Sequence, residues 1–159
     1  AVNKQYNKKY CYVTPSNLYG IYDKFDERSH FVAALVKKIY DAKKSGKNEI
    51  NLFGTGKPLR QFMNAKDLAI ILKRMVQEDI TESFNVASND NLSIDNIARV
   101  ALKACDCQHM NIEYDTSKPD GQYRKDVCTK KMNSIFTDLE FINLEQGIKE
   151  VYNKLNERD

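Results

Sequence analysis

Ser29-His30-Phe31-Val32-Ala33-Ala34-Leu35-Val36-Lys37-Lys38-Ile39-Tyr40-Asp41-Ala42-Lys43-Lys44-Ser45-Gly46, followed shortly by Ile50-Asn51-Leu52-Phe53-Gly54-Thr55-Gly56, decides the fold. Apolar side chains at Phe31, Val32, Leu35, Val36, Ile39 and Tyr40 recur at the spacing of one helix face. Ser29 stands where an N-cap belongs, and Gly46 where a helix ends in left-handed backbone. The run Ile50 to Phe53 is too short for a helix and stops at the turn Gly54 to Pro58, so it reads as a strand. Helix passing to strand, repeated along the chain, is the pattern of an α/β domain.

The repetition continues downstream. Arg60 to Met63 reads as a second extended piece, and Asn64 as the cap of a helix to about Gln77 with Leu68, Ile71, Leu72 and Met75 inward. Ser83 to Ala87 reads as a strand, and Ser93 caps a helix carrying Ile94, Ile97, Ala98, Ala101 and Leu102. Asn111 to Asp115 alternates as a strand before the polar loop Ser117 to Gly121. Asn143 with Gln146 resembles a capping box opening a last helix that buries Leu144, Ile148, Val151 and Leu155.

Upstream, Tyr10 to Thr14 reads as a short buried strand ending at Pro15, then a loop through Ser16, Asn17 and Gly20. Ala1 to Lys9 has the composition of the end of a helix. The expectation is one α/β unit over residues 1–159, with small sheets on three or four helices. Tyr10 to Thr14 and Ser83 to Ala87 are expected to belong to a larger parallel sheet.

The totals narrow the function classes. Lys and Arg number 25 against 22 Asp and Glu, interspersed, for a net charge of +3. Such mild positivity suits an anionic small molecule and lacks the basic stripe of a nucleic-acid binder. No run approaches the roughly 18 apolar residues of a membrane span. The N-terminal stretch lacks a secretory hydrophobic region, so a cytoplasmic setting with Cys11, Cys105, Cys107 and Cys128 reduced is expected.

Four tempting motifs fail. Gly54-Thr55-Gly56-Lys57 is no phosphate-binding loop, because Asn51 and Pro58 occupy positions that need Gly and Ser or Thr. It is no dinucleotide fingerprint either, since Leu59 stands at the third Gly. Cys105, Cys107 and His109 lack a second ligand pair for a metal, and no nucleophile elbow of Gly-x-Ser-x-Gly type exists.

What remains is a set of polar residues just after predicted strands or at helix starts, where open α/β sheets present their ligand crevice: Asn17, His30, Arg60, Asp120, Arg124 and Lys125. His30 reads either as an exposed structural histidine or as a proton shuttle near neutral pH. Arg60 reads either as half of a surface ion pair or as a bidentate clamp on a diphosphate. Phe53 is either core or an aromatic flank for a base or sugar.

Pro15-Ser16-Asn17-Leu18-Tyr19-Gly20 with Asp23 and Ser29-His30, Phe53-Gly54-Thr55-Gly56 with Pro58, Arg60 and Phe62, and Ser117-Lys118-Pro119-Asp120-Gly121 with Arg124-Lys125 together resemble the GDP-L-fucose synthase family. That family lies within the extended short-chain dehydrogenases/reductases. The resemblance implies the substrate-binding C-terminal half of an extended Rossmann-fold epimerase/reductase. It also implies a reaction on GDP-4-keto-6-deoxymannose: epimerisation at C3 and C5, then reduction of the C4 ketone with NADPH.

By the same resemblance His30 is the acid/base residue, and Pro15, Ser16, Asn17, Leu18 and His30 contact NADP(H). Asn17, Lys38, Phe53, Arg60, Asp120 and Lys125 contact the GDP-sugar. Lys38 stands where Arg is familiar and Phe53 where Trp is frequent; Lys keeps the charge but loses the planar fork. The glycine-rich cofactor loop, the catalytic Ser and the Tyr-x-x-x-Lys pair are expected before Ala1, in an NADP-binding Rossmann portion this sequence lacks. The full protein is expected to form a homodimer, and the chain alone to be inactive. Alternatives within reach of the same residues are another nucleotide-sugar epimerase or dehydratase of this fold, and a non-catalytic nucleotide-sugar binding module.

Overall fold

A computed structural model describes residues 2–157. The helix read at the start of the sequence is α2 (Phe31–Lys44), preceded by α1 (Val2–Tyr6), β1 (Val13–Pro15) and β2 (Asn17–Tyr19). After it come β3 (Glu49–Phe53), β4 (Leu59–Arg60), β5 (Phe62–Asn64), α3 (Ala65–Gln77), β6 (Phe84–Val86), β7 (Leu92–Ser93) and α4 (Ile94–Ala104). The chain continues through β8 (Asn111–Asp115), β9 (Arg124–Lys125), α5 (Lys130–Ile135) and α6 (Leu144–Asn156).

The strands form small sheets. β1 pairs with β6, β2 with β5 and β3 with β8, all parallel, and β4 lies between antiparallel β7 and parallel β9. The larger core fills the space between α2, α4, α6 and the β3–β8 pair, with Val36, Ile39, Ile50, Leu52, Ile97, Ala101, Ile148 and Val151 buried. Burying this apolar surface is the main force holding the helices to the sheet. A smaller core of Met63, Ile71, Met75, Phe84, Val86, Met132 and Phe136 joins α3 and α5 to β1–β6.

Local chemistry placed several helix starts where the sequence reading put them. Asn64 accepts from the Lys66 amide, Ser93 from the Asn96 amide and Asn143 from the Glu145 amide, each satisfying an orphan donor of the first turn. Gly46, at φ +68°, ends α2. The parallel pairing of β1 with β6 joins the two stretches expected to share a parallel sheet.

Other expectations need correction. The strand read over Tyr10 to Thr14 is shorter and largely exposed: β1 has one paired edge, and only Val13 turns toward the smaller core, so Tyr10 and Tyr12 lie on the surface. An edge position is also what admits Pro15 into the strand. Asn17 to Tyr19 is not loop; it extends alongside Phe62–Asn64. Arg60 to Met63 is two strands, because the chain changes sheet at the buried Gln61.

Ser29 does not cap α2. Its hydroxyl donates back to the Lys24 and Asp26 carbonyls, closing the preceding loop, and His30 takes the cap position without a side-chain cap bond. On α3, Leu72 faces outward while Ile71 and Met75 face the core. Phe53 is 65% exposed rather than core, since Ile50 and Leu52 take the inward positions of β3 and Phe53 falls on the other side of the alternation.

One contact makes a sharp stability prediction. A Cβ on the buried Gly147 of α6 would collide with the Tyr19 hydroxyl and come within 3.0 Å of Asn64 Nδ2. Gly147→Ala gains about 1 kcal/mol of helix propensity, yet overpacking costs about 1–3 kcal/mol. The variant is expected to melt several degrees lower by circular dichroism. An unchanged or raised midpoint would mean that Tyr19 moves aside freely.

Candidate functional site

A cleft of about 780 Å³ opens between the start of α2, the ends of β1 and β3, β4, and the loop after β8. Its apolar wall is Leu18, Phe31, Leu35, Leu52, Phe62 and Ile94, with the Phe31 and Phe62 rings stacked at 5.7 Å. Of the residues singled out in the sequence, Ser16, Asn17, Leu18, His30, Lys38, Phe53, Arg60 and Asp120 all line it. Pro15 lies in β1 and Lys125 in the outer strand β9, exposed opposite Arg60 in register; neither lines the cleft. Arg124 is committed to Asp126 at 2.7 and 2.8 Å.

The cationic groups in the cleft are held without being neutralised. Lys38 Nζ donates to the Asn51 carbonyl at 2.8 Å and sits 5.1 Å from the centre of the Phe53 ring. Arg60 Nη1 donates to the carbonyl of Leu59 at 2.7 Å. Among the described residues neither cation lies in an ion pair, so the surface ion-pair reading of Arg60 is not what the structure contains. Two positive charges beside an apolar wall and an exposed aromatic face fit a phosphate-bearing ligand with a planar or sugar group attached.

Asp120 is positioned by a residue the sequence reading did not single out. Thr55 donates its amide to Asp120 Oδ1 at 2.6 Å and its hydroxyl to Oδ2 at 2.7 Å. Gly54, at φ +80°, lets the turn approach this closely, since a Cβ there would run into Asp120 Oδ1. These two donors, with Lys57 and Arg60 nearby, hold the Asp120 carboxyl below its ordinary range.

A group whose folded-state pKa is depressed contributes its stabilisation above the ordinary carboxylate range, near 3.9, and loses it as pH falls through the depressed value. The Thr55 amide resonance is therefore expected to titrate below the ordinary aspartate midpoint, and Thr55→Val to move Asp120 back up. A Thr55 amide that titrates at the ordinary midpoint would show that the latch does not persist in solution.

His30 is 78% exposed on its side chain, and its Nδ1 lies 3.4 Å from Asp23 Oδ1. It lines both the main cleft and a second cavity of about 450 Å³ walled by Leu18, Tyr19, Ile21, Tyr22 and Ala69. Asn17 Nδ2 donates to the Gln61 carbonyl at 2.9 Å. Gln61, also missed in the sequence, accepts from the Val127 amide and so ties the β4–β5 junction to the chain beyond β9. A buried polar side chain between two short strands leaves no periodic signal that would have found it. Ser16 Oγ is buried without a hydrogen-bond partner, although its amide donates to Val86.

No helix among the described residues is long and apolar enough to cross a membrane. No group of His, Cys, Asp and Glu there is arranged to hold a metal ion; Cys105 and Cys107 are buried, and burial raises both thiols.

Residues 1–87 match the model of the NAD dependent epimerase/dehydratase family. The chain is 36% identical over 154 residues to the GDP-L-fucose synthase of Dictyostelium discoideum, covering 94% of this chain and 48% of that protein. It is 35% identical to the GDP-L-colitose synthase of Yersinia pseudotuberculosis, covering 88% of this chain and 46% of that protein. The crystal structure of a GDP-L-fucose synthetase from Naegleria fowleri bound to NADP superposes with a TM-score of 0.85 at 30% identity, over 99% of this chain and 52% of that one.

The chain thus spans about half the length of the curated relatives it matches. The mixed α/β architecture with short parallel strand pairs is that of part of an extended Rossmann-fold epimerase/reductase, as the resemblance implied. On the family match over residues 1–87 and the agreement in fold across nearly its whole length, the chain belongs to the NAD-dependent epimerase/dehydratase family.

Proposed function

We propose that the chain is the substrate-binding portion of an enzyme that converts GDP-4-keto-6-deoxymannose to GDP-L-fucose with NADPH. The observation that carries the reading is the gathering of His30, Lys38, Phe53, Arg60 and Asp120, residues spread over 90 positions of sequence (120 minus 30), around one cleft with the Ser16–Leu18 segment. Its relatives at 36% and 34% identity are GDP-L-fucose synthases. The alternative of a dTDP- or UDP-sugar enzyme has no comparable support, and a purely binding role leaves the exposed His30 without a task.

Arg60 clamps the diphosphate through its fork, Lys38 adds a point charge, and the Phe53 face supports the base. Asp120 accepts from sugar or ribose hydroxyls at the edge of the latch it forms with Thr55. Lys125, on the strand beside Arg60, contributes positive charge from outside the cleft. His30 takes up and returns protons at C3 and C5, whose C–H bonds the neighbouring C4 ketone acidifies.

Pro15, Ser16, Asn17, Leu18 and His30 border the nicotinamide end of the cofactor. Ser16 fits that place: its hydroxyl is buried and unpartnered at the C-terminal end of a parallel strand, where open α/β sheets take their ligands. Bound NADPH supplies the hydride that reduces C4. The glycine-rich loop and the Tyr-x-x-x-Lys pair belong, on this proposal, to a preceding NADP-binding Rossmann portion, and the chain alone does not turn over. A homodimer in the cytoplasm completes the proposal; the exposed Tyr6, Tyr10 and Tyr12 leave apolar surface beside β1 for further protein to cover.

Incubation of the full-length protein with the ketosugar in D2O tests the reading. Deuterium is expected at C3 and C5 before reduction. Reduction at C4 with protium retained at both carbons would remove epimerisation and with it the task assigned to His30.

A further inference from the structure

Asp23 is the group the cleft does not account for. It lies in the loop between β2 and α2, where its amide donates to the Gly20 carbonyl at 3.1 Å. Its side chain is only 18% exposed although its partner His30 is 78% exposed. The carboxylate faces His30 Nδ1 at 3.4 Å, and no other ion pair engages it among the described residues. Asp23 lines the second cavity and not the main cleft, whereas His30 lines both.

We infer that Asp23 is a positioning residue for His30: its carboxylate accepts a proton held on Nδ1, so that neutral His30 presents an unprotonated Nε2 to the substrate cleft. The physical ground is that the hydrogen bond at one imidazole nitrogen decides which nitrogen carries the proton. A carboxylate has acceptors only, so it can engage neutral imidazole solely through an Nδ1 proton. Nε2 then keeps the lone pair that general-base work requires.

The 3.4 Å separation is longer than a tight hydrogen bond. Such contacts commonly tighten when the substrate arrives. The geometry of the loop favours a role for the pair. Ser29 folds back on Lys24 and Asp26, and the Arg28 amide donates to Asp26 Oδ1, so the segment joining Asp23 to His30 is closed on itself. His30 begins α2 without using its side chain as a cap, which leaves the imidazole free for Asp23.

The inference rests on the reading of His30 as the acid/base residue, but its test does not. The chain has only two histidines, and His109 is exposed in the turn before β8, so it serves as an internal reference. Long-range 15N–1H correlation spectra at about pH 9, above the ordinary histidine range, report which ring nitrogen of each holds the proton. In the wild-type chain His30 is expected to be mainly the Nδ1–H tautomer, and His109 mainly the Nε2–H form usual for free imidazole. Asp23→Asn, which offers an amide donor to Nδ1, and Asp23→Ala should both return His30 to the Nε2–H form and leave His109 unmoved.

Asp23→Glu should retain a share of the Nδ1–H form. A merely structural Asp23 would not select a tautomer: the same His30 tautomer in wild type and both neutral variants, with backbone spectra intact, overturns the inference. Failure of deuterium to enter C3 and C5 in the full-length protein, with the tautomer shift observed, would instead remove the epimerase reading and leave the pair standing.

Discussion

Full-length protein carrying His30→Gln is expected to exchange the C3 and C5 hydrogens of the ketosugar more slowly by about 10²–10⁴-fold, the usual worth of a positioned acid/base group. GDP affinity should stay within a few-fold of wild type, because His30 stands at the start of α2 and is not one of the two cations, Lys38 and Arg60, proposed to hold the diphosphate. The fold has little to lose: the imidazole is mostly exposed and makes no cap bond. Deuterium wash-in followed by NMR checks the first part and calorimetry the second. A variant that exchanges at the wild-type rate would take proton transfer away from His30.

Arg60→Ala carries the second large effect. Its guanidinium has no carboxylate partner among the described residues and is anchored only through the Leu59 carbonyl. On the proposed reading its removal deletes ligand contacts, and it strands no ion-paired acid among the described residues. The expected loss of GDP affinity is about 1.5–3 kcal/mol, roughly tenfold to a hundredfold, for a charge-assisted hydrogen-bonded contact. Arg60→Lys should recover only part of it, since an ammonium cannot reproduce a bidentate grip. Unchanged GDP binding in Arg60→Ala would place the diphosphate elsewhere.

Those two residues also mark how far the sequence could be read. Helices announced themselves through local chemistry: Asn64, Ser93 and Asn143 each cap within three residues, and the apolar spacing of α2 and α6 needs no distant partner. Short strands did not. Asn17 to Tyr19 is extended because Phe62 to Asn64 lies beside it, some 45 residues away in sequence, and nothing within Asn17 to Tyr19 signals that neighbour. The bounds of α5 cannot be read from the sequence, because a six-residue helix with Met132 as its only buried residue shows no period.

The site divided in the same way. The resemblance marked His30, Lys38, Phe53, Arg60 and Asp120 as related, and the fold brings them to one cleft. What orients them was hidden. Thr55 holds Asp120 across 65 positions, and Gln61 ties a strand junction to Val127 across 66. Phe53, an aromatic at a strand end, has the composition of a core residue; only the alternation of β3, with Ile50 and Leu52 inward, turns it toward Lys38.

Calorimetric titration of the 159-residue chain with GDP, with UDP and NADPH as comparators, tests the central claim most directly. The proposed function predicts saturable binding of GDP, tighter than UDP, with the signal weakened by Arg60→Ala. Equal affinity for GDP and UDP would contradict the guanine reading, and no saturable heat for either would contradict the assignment of the nucleotide site to these residues.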